Sequence, residues 1–285
     1  SPCVSLIGRL PWYTLGLPDL RDGSGERLWY ALSDNFHAGA TFPLNSDTMG
    51  QLTVTGGSPA TNVVAIVFSP GELIDPQVRD PANENNVANY LEGENANGDT
   101  IFTTGAASAT FNDRLLVITT ADLIPVVEQR VARDLRKILQ SYKTAVGVYP
   151  WANISDGNFN NGLNRGRIPW QIAGPQDWGS GGAPTLPAWY INNKWSQVIY
   201  YSAGENFLAG GCSSCVDPTL SVDGVAGKEV VILTPGPAGA GRPVAYPWTN
   251  WTPYLEDAEN NDNSNDLYVT PTSTAYARDR IYTIP

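Results

Sequence analysis

One stretch of the chain carries a helical period. Leu123, Val127, Val131, Leu135, Ile138, Leu139 and Tyr142 recur at steps of three and four, with Glu128, Arg130, Arg133, Arg136 and Lys137 between them. That spacing predicts an amphipathic helix from Asp122 to about Thr144, with Leu123, Val127, Val131, Leu135 and Ile138 facing a core. Asp122 is its expected N-cap, Pro125 falls in the first turn, and Gly147 and Pro150 mark the stop. Elsewhere apolar residues come in short runs rich in Val, Ile and Tyr, at 51–55, 62–68, 113–119, 197–201, 229–234 and 279–284. Glycines and prolines separate these runs, which therefore predict strands. One long helix among many short strands points to an α+β fold with antiparallel sheets.

The second half of the pattern echoes the first. Gly8-Arg9-Leu10-Pro11-Trp12 returns as Gly166-Arg167-Ile168-Pro169-Trp170, and the run from Trp29 to Phe36 returns more loosely from Tyr200 to Phe207. Val67-Phe68-Ser69-Pro70-Gly71 matches Ile232-Leu233-Thr234-Pro235-Gly236, Tyr90-Leu91-Glu92 matches Tyr254-Leu255-Glu256, and Asp113-Arg114-Leu115 matches Asp279-Arg280-Ile281. The order is kept, at offsets between 158 and 171 residues. Five matches in register predict two copies of one domain, 1–120 and 121–285. The second copy has that helix ahead of its Gly-Arg-Ile-Pro-Trp motif. An equivalent helix is expected before Ser1, and the chain then reads as a fragment.

Composition narrows the function. A net charge of −11 leaves no basic patch for phosphates, so nucleic acid is not an expected partner. Nine Trp and thirteen Tyr, with abundant Gly, Ser, Thr and Asn, suit an exported protein. No run of about eighteen apolar residues spans a membrane. Cys212-Ser-Ser-Cys215 lies in a Gly/Ser-rich loop rather than at a helix start, which favours a local disulfide over a redox pair. Cys3 is left over, and its partner is expected upstream.

Catalytic chemistry is hard to find. The single histidine, His37, has no marked nucleophile beside it and reads as a loop residue. Phosphate loop, dinucleotide fingerprint and zinc-protease motif are all absent, and no enzyme is expected. The constellation closest to a ligand set is a pair of acidic, Asn-rich loops, 92–99 and 256–266, each following a Tyr-Leu-Glu. Calcium takes six to eight oxygens from such groups. The candidate ligands are Glu256, Asp257, Asp262 and Asp266; the alternative is a solvated turn. Asn153 and Asn250 stand in glycosylation triplets. Trp12, Trp29 and Trp170 read as core anchors, and Trp178, Trp248 and Trp251 as surface aromatics able to meet a glycan.

The helix that ends in Tyr142-Lys143-Thr144-Ala145-Val146-Gly147-Val148-Tyr149-Pro150-Trp151, followed by a loop and a small sheet, resembles the type IV pilin and type II secretion pseudopilin family. The run from Gly8 to Tyr30 is similar to that family's Pro-Trp or Pro-Tyr step followed by Asp-x-Trp-Gly-x-x-Leu-x-Tyr, but Asp22-Gly23-Ser24-Gly25 lacks the tryptophan. The resemblance implies two tandem pilin-like domains, with the helix packing on the second sheet, and a structural subunit of a bacterial type IV pilus or type II secretion system. It implies other pilin or pseudopilin subunits as partners, an inner-membrane anchor through the absent N-terminal helix, and a periplasmic or extracellular, filament-associated place. Calcium in the sheet-domain loop is known in the pseudopilin branch. The alternative is a secreted glycan-binding module or adhesin using loop aromatics.

Overall fold

The computed structural model describes residues 7–37, 39–40, 42–153, 162–169, 178–210, 212, 215–239, 242, 253–262, 264–272 and 278–285. Two compact units share the chain: unit 1 is Ser1–Phe42 and Met49–Leu123, and unit 2 is Pro43–Thr48 and Ile124–Pro285.

Unit 1 is a six-stranded sheet of β1 (Ile7–Arg9), β2 (Trp29–Leu32), β3 (Leu52–Gly56), β4 (Ala60–Ser69), β5 (Ile101–Thr104) and β6 (Arg114–Thr119). The order is β1-β2-β4-β3-β5, with β6 also paired to β4. At ten residues, β4 is long enough to pair with β3 near its start and with β2 further on. β3 and β5 run parallel. Their closeness excludes a side chain at Gly56, where φ is +87° and a Cβ would collide with the Thr104 carbonyl. Trp29, Ala31, Ile66 and Phe68 fill one face of the sheet, under Tyr90, Leu91 and Phe102.

Unit 2 holds the helix α1 (Thr120–Val146, from Ile124 on), β7 (Arg165–Arg167), the short α2 (Ala188–Asn192) and α3 (Trp195–Val198), and β8 (Tyr200–Ala203). β9 (Leu220–Val222), β10 (Val225–Lys228), β11 (Val230–Thr234), β12 (Leu267–Tyr268) and β13 (Arg280–Ile284) follow. β13-β11-β8-β7 form a four-stranded antiparallel sheet. β10-β9-β12 form a three-stranded one in which β9 and β12 are parallel. β7 needs glycine in its middle: Gly166 has φ +149°, and a Cβ would lie 2.5 Å from the Asn153 carbonyl oxygen. Among the described residues no helix is long and apolar enough to cross a membrane.

The α+β expectation of two tandem pilin-like domains built from antiparallel sheet is corrected. The described residues form thirteen strands in three sheets and one helix longer than five residues, so the chain is mostly β. Two pairings, β3 with β5 and β9 with β12, are parallel. Both parallel strands return after long Gly- and Pro-rich excursions, whose partners the local pattern does not encode.

Smaller readings change as well. α1 begins at Thr120, and Thr119 caps it: the Asp122 carboxylate accepts from the Thr119 N–H (2.9 Å) and hydroxyl (2.7 Å), so Asp122 is the third helical residue rather than the cap. Pro125 therefore lies inside the helix, where it leaves the Ala121 carbonyl without its i+4 donor. Val131, Leu135, Leu139 and Tyr142 are fully buried, while Val127 and Ile138 are half-buried at the core's edge. Gln197 belongs to α3, not to the strand β8. Trp29 is a core residue, but Trp12 is half-buried and packs edge-on to Tyr13.

Candidate functional site

The acidic loop of unit 2 does not gather its four carboxylates. Asp266 is fully buried and meets Arg165 (2.8 Å), the Asn164 amide (2.8 Å) and the backbone N–H groups of Val216 (2.8 Å) and Asp217 (2.9 Å). Glu256 pairs with Arg278 and accepts from its N–H at 2.7 Å. Asp257 accepts from the Glu259 N–H (3.0 Å), and Asp262 from the N–H and hydroxyl of Ser264 (2.7 and 2.9 Å). Each carboxylate is thus spent on a turn or an arginine. Among the described residues no group of three or more His, Cys, Asp or Glu is placed to hold a metal ion.

A second arrangement, absent from the sequence reading, occurs once in each unit. In unit 1, Asp113 Oδ2 accepts from the Glu92 N–H (3.0 Å) and the Asn95 amide (2.9 Å). Asn95 in turn accepts from the Thr103 N–H at 2.8 Å. In unit 2, Asp279 accepts from the N–H groups of Glu256 (3.0 Å) and Asp257 (3.2 Å) and from the Asn260 amide (3.3 Å). Asn260 accepts from the Val269 N–H at 2.9 Å. Both clasps fasten the Tyr-Leu-Glu corner to the last strand. Burial pushes the Asp113 carboxyl up to about 7, and the neighbouring Glu92 charge adds to it against the two hydrogen bonds. Burial likewise raises Asp279. Such shifts mark reactive carboxyls in many active sites. Here the arrangement recurs at matching places in two units, each time closing a corner, which makes it part of the fold.

Unit 2 buries further charge. Glu128 is fully enclosed on α1, accepting from Ser46 (2.6 Å) and Thr234 (2.9 Å). Burial pushes it up to about 7, opposed by those hydroxyls and by the charges of Arg242 and Arg280. Arg242 meets Asp47 (3.3 Å) and the carbonyls of Pro235 (2.7 Å) and Gly236 (2.9 Å), and Asp47 also accepts from the Tyr254 hydroxyl (3.2 Å). Segment 43–48 is locked into unit 2 by these contacts and by Asn193, which accepts from the Leu44 N–H at 2.9 Å.

The remaining sequence candidates are dispersed. A disulfide joins Cys212 to Cys215, Cα atoms 5.7 Å apart. His37 sits 3.0 Å from Asp34 in a loop of unit 1. Asn153 is buried in a bridge to Arg167, out of reach of a glycosylating enzyme in the folded chain. Trp178 is no surface aromatic: it packs on Tyr142, ring centres 4.9 Å apart, and donates to the Pro169 carbonyl (2.8 Å). Cys3, Trp170, Trp248, Asn250 and Trp251 lie outside the described residues. Unit 2 does carry a cleft of about 570 Å³ between α1 and the short helices, with Val126, Arg130, Asp134, Trp189 and Asn193 on its walls. Its Trp189 is 37% exposed, in a segment the sequence reading did not single out.

No family model matches the chain, and neither a curated protein nor a solved structure matches it.

Proposed function

We propose that the chain is a structural subunit, the soluble region of a pilin-like or pseudopilin-like protein that assembles with other subunits of a bacterial type IV pilus or type II secretion system, outside the cytoplasm. The observation that carries this reading is the outer face of the unit 1 sheet. Leu116 stands on it 65% exposed, in line with half-buried Tyr30 and Val67. A folded chain keeps such an apolar strip at a cost in solubility, and covering it with a partner is its natural use. The charged groups inside the molecule point the same way, since they close turns and corners rather than line a cleft.

The test is to follow the protein in cells that produce it. In this reading it enters the sheared-filament or secretion-assembly fraction, and Leu116→Arg removes it from that fraction while leaving its amount in the cell unchanged. Recovery of both forms only as free monomer overturns the reading.

A second reading, a glycan-binding module, draws on the unit 2 cleft, because a part-exposed tryptophan beside Arg130, Asp134 and Asn193 suits a sugar ring. It predicts retardation of the protein in polysaccharide gels and loss of that retardation in Trp189→Ala.

A further inference from the structure

Row by row, the two units carry the same strand partners. In unit 1, Gly8 lies opposite Tyr30, Tyr30 opposite Val67, and Val67 opposite Leu116. In unit 2, Gly166 lies opposite Tyr201, Tyr201 opposite Ile232, and Ile232 opposite Tyr282. The next row is Leu32, Ala65 and Ile118 in unit 1, and Ala203, Val230 and Ile284 in unit 2. Residues directly opposite one another share a sheet face, so these rows define corresponding faces.

In unit 2 that face is covered by α1. Thr234 lies two residues beyond Ile232, hence on the same face, and its hydroxyl donates to Glu128 of the helix at 2.9 Å. Val131, Leu135 and Leu139 follow Glu128 along the same stripe of the helix and join the core with Tyr201 and Ile232. In unit 1 the corresponding face ends in exposed Leu116, and the unit's core lies on the opposite side, around Trp29, Ile66 and Phe68.

The row that ends the face matches in charge. Thr234 lies opposite Arg280 in unit 2, and Arg280 acts on Glu128. Ser69 lies opposite Arg114 in unit 1. Ser69 donates to Asp22 at 3.2 Å, whereas Arg114 is exposed and has no part in the ion pairs among the described residues. Asp22 thus takes at Ser69 the place that Glu128 takes at Thr234, and Arg114 is left as the charge an incoming carboxylate would meet.

We infer that the outer face of the unit 1 sheet takes an amphipathic helix of a partner subunit, with a glutamate followed by apolar residues three, seven and eleven positions later and its carboxylate set against Arg114. The inference rests on the assembly reading above and names the partner's chemistry.

The probe is a fluorescently labelled synthetic peptide with the sequence of residues 122–146, titrated with the 285-residue chain and followed by anisotropy. We expect saturable binding at tens of micromolar, on the order of 6 kcal/mol. Leu116→Arg in the protein should weaken it at least about tenfold. Because Leu116 is exposed, the melting temperature of that variant should be unchanged, which separates lost docking from lost folding. A peptide carrying Glu128→Gln should bind a few-fold more weakly, and one carrying Leu135→Asp and Leu139→Asp not at all. Absence of binding up to about 1 mM, near 4 kcal/mol, or equal binding by Leu116→Arg, overturns the inference. Self-association of the chain that Leu116→Arg abolishes, without peptide binding, overturns it too and gives the face to a second copy. If the peptide fails while the protein still enters the filament fraction, the helix inference alone falls; if the peptide binds but the protein stays out of every assembly, the assembly reading falls.

Discussion

In unit 2 the helix α1, from Ile124 on, lies over Tyr201, Val230 and Ile232; in unit 1 the matching positions are Tyr30, Ala65 and Val67, in a row that ends at exposed Leu116. The side chains follow this difference. β11 is buried at all five positions, as a strand enclosed on both faces must be. β2 instead alternates between buried and half-buried, with Trp29 and Ala31 turned to the core. Along β4 the large residues Ile66 and Phe68 face inward, while Ala65, Val67 and Ser69 stand on the outer side. The outer face has been trimmed relative to Val230, Ile232 and Thr234, but it has not become polar.

A second contrast concerns what plugs the inner face beside β2 and β8. Ile7 lies opposite Ala31 in unit 1, and Arg165 lies opposite Ser202 in unit 2. One unit uses a methyl-bearing side chain and the other a buried ion pair at the same row. Breaking that pair should give the largest effect of any single change. Asp266→Ala leaves the Arg165 guanidinium enclosed and removes the acceptor of two backbone N–H groups, so a loss of about 3–5 kcal/mol is expected. Arg165→Ile together with Asp266→Leu should recover only the part owed to the enclosed guanidinium, about half, because the Val216 and Asp217 N–H groups still lack their acceptor. Urea unfolding of the three proteins decides the matter: a double variant no better than the single one would mean the pair does more than fill the row.

The helix gives the next largest effect. Leu135 is fully buried against the unit 2 sheet, and Leu135→Ala should cost about 2–5 kcal/mol, confined to unit 2 in hydrogen exchange. Equal loss of protection in unit 1 would contradict a core of its own for each unit.

Each unit also carries its own acid with a raised titration point, Asp113 in unit 1 and Glu128 in unit 2, both about 7. The folded forms therefore hold a proton that the unfolded chain gives up near pH 4. The stability each group contributes is full below that pH and is lost as pH rises toward 7, by up to a few kcal/mol apiece. Protection from hydrogen exchange should fall in both units between pH 5 and pH 8. Asp113→Asn should flatten the dependence in unit 1 alone, and Glu128→Gln in unit 2 alone. Stability that rises over this range, or a variant that flattens both units, would show that other groups control it. Asp279 adds in the same direction, raised by burial against the hydrogen bonds it accepts from the Glu256 and Asp257 N–H groups and the Asn260 amide.

How far the sequence carried this comparison depends on the range of each interaction. α1 was legible because its apolar stripe is a local signal, and it runs Thr120–Val146 against an expected 122–144. Its cap lies three residues before the expected Asp122, because Thr119 and Asp122 both suit the role and only the hydrogen bonds separate them. Local spacing puts Glu128 on the polar face of the helix; its partners Ser46 and Thr234 lie 82 and 106 residues away, and nothing local announces them. The parallel pairs that overturned the antiparallel expectation are equally distant, since β3 meets β5 across the whole of β4 and the loop after it. Composition makes the acidic loop a cation candidate. Its carboxylates turned out to be committed to Arg165, Arg278 and turn N–H groups, two of them to side chains that no spacing rule would pair with it.

The smallest effect on stability is the most telling for the comparison. Leu116 occupies the row position of Tyr282, yet it stands 65% exposed where Tyr282 is half-buried and within the field of Glu128. Removing three side-chain carbons from an exposed site should change the unfolding free energy of the free chain by no more than about 0.5 kcal/mol. Tyr282→Ala at the covered counterpart should cost several times as much. If Leu116→Ala instead destabilises the free chain by about 2 kcal/mol or more, the range seen for buried leucines, the face is already packed in the free protein and no partner is needed to cover it. If it costs nothing in the free chain but lowers the melting temperature of the assembled form, the outer face of unit 1 is completed only in the assembly, as the face of unit 2 is completed by α1.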